Sequence, residues 1–163
     1  MNKLYSIKYF VLCSAFLSFS NLASGQIVPE ILKFKKLAAI IAKTDDTTRV
    51  FNFFASWCMP CIKELPEFES LAQEKKHEKV KIIYVSLDFI NSYQESLIPL
   101  MNKLALTQKV YLLNESDPNK WINEIDKNWS GSIPATLIVN HQKKRYKFIP
   151  NSISKATLKK YLP

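Results

Sequence analysis

Residues 49–55 read RVFNFFA, an apolar run of aromatic and branched side chains, and the chain passes from it directly into SWCMPC. Behind that motif, Ile62, Leu65, Phe68, Leu71 and Ala72 recur at helical spacing as far as about Lys76. A short apolar run without alternation is the pattern of a strand covered on both faces. Such a strand requires helices on either side of its sheet, so the order strand, motif, helix predicts an α/β architecture and sets Cys58 at the first turn of the helix.

The remaining chain supplies partners for that strand. EILKFKKLAAIIAKT, beginning at Glu30, has helical spacing at Ile31, Phe34, Leu37, Ala38 and Ile41 and predicts a first helix. VKIIYVSL (80–87) and KVYLL (109–113) read as further strands, separated by a helical stretch over 92–106 that bends at Pro99. Pro66 removes a backbone donor from the helix behind the cysteines and predicts a kink there. SDPNKWINEIDKNW (116–129) predicts one helix, with Asp117 as N-cap, Pro118 in its first position, and Trp121, Ile122 and Ile125 on one face. ATLIV (135–139) and KRYKFI (144–149), joined by polar residues, predict a hairpin, and 154–162 a terminal helix. The expectation is a mixed β-sheet with helices on both faces.

Residues 1–25 have a different character: Lys3 and Lys8, an apolar run from Tyr9 to Phe19, then small polar residues, with no acid. This is the pattern of a cleaved secretory signal peptide, which leaves residues 26–163 as one domain in the periplasm or cell envelope. The apolar run is shorter than the roughly 20 residues of a spanning helix, and an uncleaved, tethering N-terminus is the alternative. Cys13 lies in the leader, behind Leu12, and is discarded with it. Two units of the net charge of +9 belong to the leader lysines. The other cations are scattered among acids and element ends, the pattern of a solvated basic surface and not of a nucleic-acid-binding stripe.

Without the leader, Cys58 and Cys61 are the only cysteines, which excludes a scaffold of several disulfides. A bridge between them closes too short a loop to constrain the unfolded chain much, so stapling explains the pair poorly. Chemistry explains it better. Unpaired N–H groups and the positive end of the macrodipole at a helix start stabilise a thiolate on Cys58, and Cys61 lies one turn on, on the same face, within disulfide reach. Cys58 is thus the exposed nucleophile and Cys61 the shielded, resolving thiol. Pro60 limits the backbone between them, and Met59 adds no charge. His77 and His141 have no ligand spacing with the pair, so no metal site and no cofactor are expected.

The segment NFFASWCMPCIKELPEFE resembles the active-site segment of the thioredoxin-like superfamily, specifically the exported TlpA/ResA-like thiol-disulfide oxidoreductases, with W-C-x-P-C followed by Glu-x-Pro. GSIPATLIVN resembles that family's segment carrying a cis proline beside the disulfide. From the residues alone Pro134 opens a strand in a trans turn; the resemblance implies a cis bond to Ile133, whose backbone then faces a docked substrate strand. It further implies that Glu64, one helical turn past Cys61, accepts the resolving thiol's proton, and that Trp57, Met59 and Pro60 shape the docking surface. Cytosolic thioredoxins resemble one another in a buried aspartate six residues before the first cysteine. Asn52 stands there in this chain and cannot take a proton, which moves the base role to Glu64 or water.

Together these readings predict an exported enzyme that exchanges disulfides with protein substrates through a redox-active Cys58–Cys61 disulfide. The resemblance favours a reducing role, as in cytochrome c assembly, with electrons from a membrane reductase. A copper(I)-handling module, a thiol peroxidase and a non-catalytic interaction domain on the same fold are the alternatives.

Overall fold

The computed structural model describes residues 27–163; the leader and Cys13 lie outside the described residues. Six strands form one sheet in the order β1-β4-β3-β2-β5-β6. The central strand β2 (Thr48–Phe54) pairs in parallel with β3 (Val80–Ser86) through seven residue pairs, and antiparallel with β5 (Ala135–Asn140). Beyond β3 lie β4 (Lys109–Leu113) and the short edge strand β1 (Glu30–Leu32), both parallel, while β6 (Arg145–Ile149) closes the opposite edge as the second arm of the expected hairpin.

All seven residues of β2 are buried, as its unalternating composition requires. Successive side chains go to opposite faces. Val50 and Phe54 join the cluster covered by α2 (Met59–Glu74), α3 (Tyr93–Lys103) and α5 (Lys155–Lys159). Phe51 and Phe53 join the cluster under α1 (Phe34–Ile41) and the short α4 (Ile122–Ile125). Residues 27–163 hold the six strands of the sheet and both apolar clusters.

Two elements differ from the sequence reading. Glu30–Leu32 is a strand, and the first helix begins only at Phe34. The periodicity of the segment is helical, but a free edge of β4 offers its backbone hydrogen-bond partners, and tertiary pairing overrides the local preference. Lys33 makes no side-chain cap; instead the Phe34 N–H donates to Glu115 Oε1 at 2.8 Å from across the fold.

The helix expected over 116–129 is instead a 3₁₀ turn, Pro118–Lys120, and the four-residue α4. Asp117 does cap the first turn, accepting from Asn119 N at 3.1 Å. The chain breaks at Trp121, whose φ of −138° is not helical. Trp121 and Trp129 both turn into the core, edge to face at 5.5 Å, and Trp129 also packs on Phe53 at 4.9 Å and Phe148 at 5.3 Å. Burying two indoles outweighs a few helical hydrogen bonds. α2 runs unbroken through Pro66, which leaves the Ile62 carbonyl without its helical donor. α5 is shorter than read, with Ser154 as its N-cap.

Trp129→Ala removes the ring that joins Phe53, Trp121 and Phe148. It should cost about 3–5 kcal/mol of unfolding free energy in urea titrations of the oxidised protein, with Trp129→Phe recovering part of the loss.

Candidate active site

The parallel strands β2 and β3 end together, and the loops that follow them build the site. The turn after β2 is pinned by Asp88, a buried residue just beyond β3. Ser56 N donates to its carboxylate at 3.0 and 3.2 Å, Ser56 Oγ donates to Oδ1, and Ser86 Oγ donates to Oδ2 at 2.7 Å. A carboxylate taken out of water is tolerated when its lone pairs are met in this way, and the result is a fixed approach to the cysteines.

Cys58 is the N-cap of α2 and forms a disulfide with Cys61, with Cα atoms 5.3 Å apart. Cys61 N lies 3.4 Å from Cys58 Sγ, pointing an otherwise unpaired helix N–H at that sulfur. Pro60 lacks an N–H, so the sulfur faces fewer donors than a residue other than proline would provide. Cys61 is fully buried and Cys58 is 6 % exposed, the asymmetry the sequence predicts but with Cys58 more covered than expected, because in the disulfide its sulfur turns inward onto Cys61.

The rim is apolar and open. Trp57 is 61 % exposed, so it is no core residue, and Met59 and Pro60 are exposed beside it. Phe89, 68 % exposed, and Ile90 extend this surface from the loop after β3. Between Trp57, Phe89, Trp121, Ile122 and Gly131 lies a groove of about 600 Å³. Gly131 has φ 85°, and a Cβ there would meet Ile122 Cδ1 at 2.7 Å, so a side chain would intrude on the groove wall. The Ile133–Pro134 peptide is cis, and Ile133 packs against both cores.

Behind the disulfide the sheet holds a polar pocket. Glu64 is buried, and its two oxygens accept from Asn52 Nδ2 at 2.7 Å and from Ile153 N at 3.0 Å. Burial raises its pKa above the ordinary carboxylate value; the Ile153 N–H and then the Asn52 amide oppose that rise, and Glu67 adds to it. Asn52 Nδ2 also reaches Thr136 Oγ1 at 3.4 Å, and Asn52 Oδ1 has no partner. Glu64 is thus a carboxyl poised to take up a proton within the core, one helical turn from the buried sulfur.

The structure brings together Trp57, Cys58, Met59, Pro60, Cys61 and Glu64 on one segment, and sets Ile133 and Pro134 on the loop that enters β5. Sequence reasoning did not find Asp88, Ile153, Phe89 or Ile90. An acid just past a strand end was a weak signal for Asp88; the others depend on loops brought together only by the sheet.

The profile of the AhpC/TSA family matches residues 34–145. The chain belongs to the AhpC/TSA family. Within it, the chain is 39 % identical over 93 residues to sporulation thiol-disulfide oxidoreductase A of Bacillus subtilis, covering 57 % of this chain and 53 % of that protein. It is 46 % identical over 39 residues to the thiol-disulfide oxidoreductase ResA of Oceanobacillus iheyensis, covering 24 % and 20 %. The chain therefore spans about half the length of the first relative and a fifth of the second. A thioredoxin-family thiol:disulfide interchange protein of Chlorobium tepidum superposes with a TM-score of 0.59 at 18 % identity, covering 72 % of this chain and 78 % of that one. The fold of this AhpC/TSA member is thioredoxin-like.

Because the folded pKa of Glu64 lies above its unfolded value, its contribution to stability is greatest below about 4.5 and declines as pH rises through the folded value. Glu64→Gln should remove that decline, so denaturant midpoints of the two proteins should diverge with rising pH in favour of the variant. Asn52→Asp sets a second carboxyl within hydrogen-bond distance of Glu64. It should raise the apparent pKa of the pair further, read from the pH dependence of stability.

Proposed function

We propose that this protein is an exported thiol-disulfide oxidoreductase that acts on protein substrates, with Cys58 as nucleophile. One observation carries the reading: a disulfide whose first sulfur caps a helix N-terminus under an open apolar rim, while its second is wholly buried. The likeness to two thiol-disulfide oxidoreductases favours exchange over the copper(I) and peroxidase alternatives.

In the reducing direction, the Cys58 thiolate attacks one sulfur of a substrate disulfide. A mixed disulfide forms and the substrate's other sulfur leaves as a thiolate, taking a proton. Cys61 then loses its proton and attacks Cys58 Sγ, which releases the reduced substrate and leaves the Cys58–Cys61 disulfide. Two electrons have moved to the substrate, and a donor dithiol, which the resemblance to TlpA/ResA-like proteins suggests is a membrane reductase, restores them by the reverse sequence. Glu64 receives the Cys61 proton, directly or through water; its raised pKa supports this role. Trp57, Met59 and Pro60 form the contact surface, and Ile133 ahead of cis Pro134 offers its backbone to an extended substrate segment. The reducing role and a part in cytochrome c assembly rest on the same resemblance, and secretion rests on the leader pattern of residues 1–25.

Residues 26–163 should reduce insulin with dithiothreitol as electron source, and Cys58→Ser should lower the rate to background. Cys61→Ser should instead accumulate mixed disulfides visible on non-reducing gels. Full insulin reduction by Cys58→Ser would overturn the assignment.

A further inference from the structure

The end of the sheet opposite the disulfide has a chemistry of its own. It is formed by the starts of β2, β3 and β4 and by the turn at 141–144 between β5 and β6, about 20 Å from the cysteines along the seven residues of β2. Lys36, Lys43, Arg49, Lys76, Lys81 and Lys109 line an open basin of about 710 Å³ there.

The carboxylates of this region are already engaged. Glu30 binds both Lys36 and Lys109, Asp45 binds both Lys43 and Arg49, and Asp46 binds both Lys79 and Lys143. Each group retains a net positive charge, because one acid is shared by two cations. Glu78 pairs with Lys75. Lys76, Lys81 and Lys144 are exposed and have no acidic partner among the described residues. The surplus is therefore concentrated at one pole. Around the groove at the other pole, Asp88, Glu115 and Asp117 stand against Lys120.

The chain also enters the fold beside this basin. Ile27 to Pro29 lead into β1, whose first residue, Glu30, holds the basin's Lys36 and Lys109. Val28, 65 % exposed, adds an apolar side chain next to that entry. Twenty-six residues, including the apolar run Tyr9–Phe19, precede Ile27. A surplus of lysine with an exposed valine, in a chain that carries an apolar run ahead of it, is the combination that suits an anionic lipid surface: the cations meet the headgroups and the aliphatic side chain enters the interface.

We propose that this basic pole is the surface on which the domain docks against an anionic bilayer, holding the disulfide outward toward its substrates. The proposal does not depend on the identity of those substrates. In the docked state the central strand stands across the membrane surface rather than along it and Cys58 faces away from the lipid, so exchange with a donor held in the bilayer takes place from the undocked state.

The test is co-sedimentation of residues 27–163 with vesicles of phosphatidylglycerol and phosphatidylcholine, and with vesicles of phosphatidylcholine alone. Binding is expected to the anionic vesicles at low salt, to weaken at high salt, and to be absent with the neutral ones. Lys76→Glu/Lys81→Glu should lower the partition coefficient at least about tenfold. Lys120→Glu/Lys127→Glu makes the same change in net charge at the disulfide end and should lower it less than about threefold. Circular dichroism that matches the parent shows that both variants are folded. Equal losses in the two variants, equal binding to neutral vesicles, or no binding to either vesicle would overturn the proposal. Retention of polyglutamate without vesicle binding would assign the pole to an acidic protein and overturn it as well.

Discussion

The structure depends on one junction, where a central strand buried on both faces delivers the chain, at its C-terminal end, to a helix N-terminus. β2 cannot move, because Phe51 and Phe53 pack into one core while Val50 and Phe54 pack into the other. The turn that follows cannot move either, because Ser56 is held by Asp88 through backbone and side chain. Cys58 inherits that rigidity. Its sulfur meets the first turn of α2 without a further ordering cost, and the Cys61 N–H is aimed at it. Helix ends favour an adjacent negative charge by about 0.3–1 kcal/mol, up to about 2 where partly buried.

The same core contains the carboxyl to which the proposed mechanism assigns the Cys61 proton. A carboxyl inside a sheet protein is costly unless its oxygens are met, and Glu64 has two donors, the Asn52 amide and the Ile153 backbone. Desolvation still outweighs those bonds and leaves Glu64 readier than a surface glutamate to hold a proton. Asn52 in turn has an acceptor, Oδ1, without a partner, so the pocket is not fully satisfied. A partly satisfied buried pair is a feature that a purely structural core would avoid, and its position behind Cys61 suits proton transfer.

Much of this was legible in the chain itself. RVFNFFA carries its burial on both faces in its composition, and the helical spacing after Cys61 orients α2, so the disulfide followed directly, while Cys58, read as exposed, is nearly as covered as Cys61. The cis bond before Pro134 was legible only through resemblance, since proline alone favours trans. What was not legible depends on distant segments. Glu30–Leu32 has helical spacing and becomes a strand because β4 has a free edge. Residues 116–129 carry sound helix signals and break because Trp121 and Trp129 are drawn into a core built largely from elsewhere. Asn52 was read as unable to act as a base, but its hydrogen bond to Glu64, twelve residues away, appears only when β2 and α2 are packed together. The net positive charge at one pole, where single acids are shared between two cations, is likewise invisible in a sequence where basic residues look evenly scattered.

The central claim is that the junction of β2 and α2 makes Cys58 the sulfur that reacts. Alkylation of the reduced protein by iodoacetamide across pH, with the modified residue identified by mass spectrometry, measures this directly. The account predicts rapid reaction at Cys58 and little at Cys61 at every pH tested. Equal labelling of the two cysteines, or faster labelling of Cys61, would contradict it.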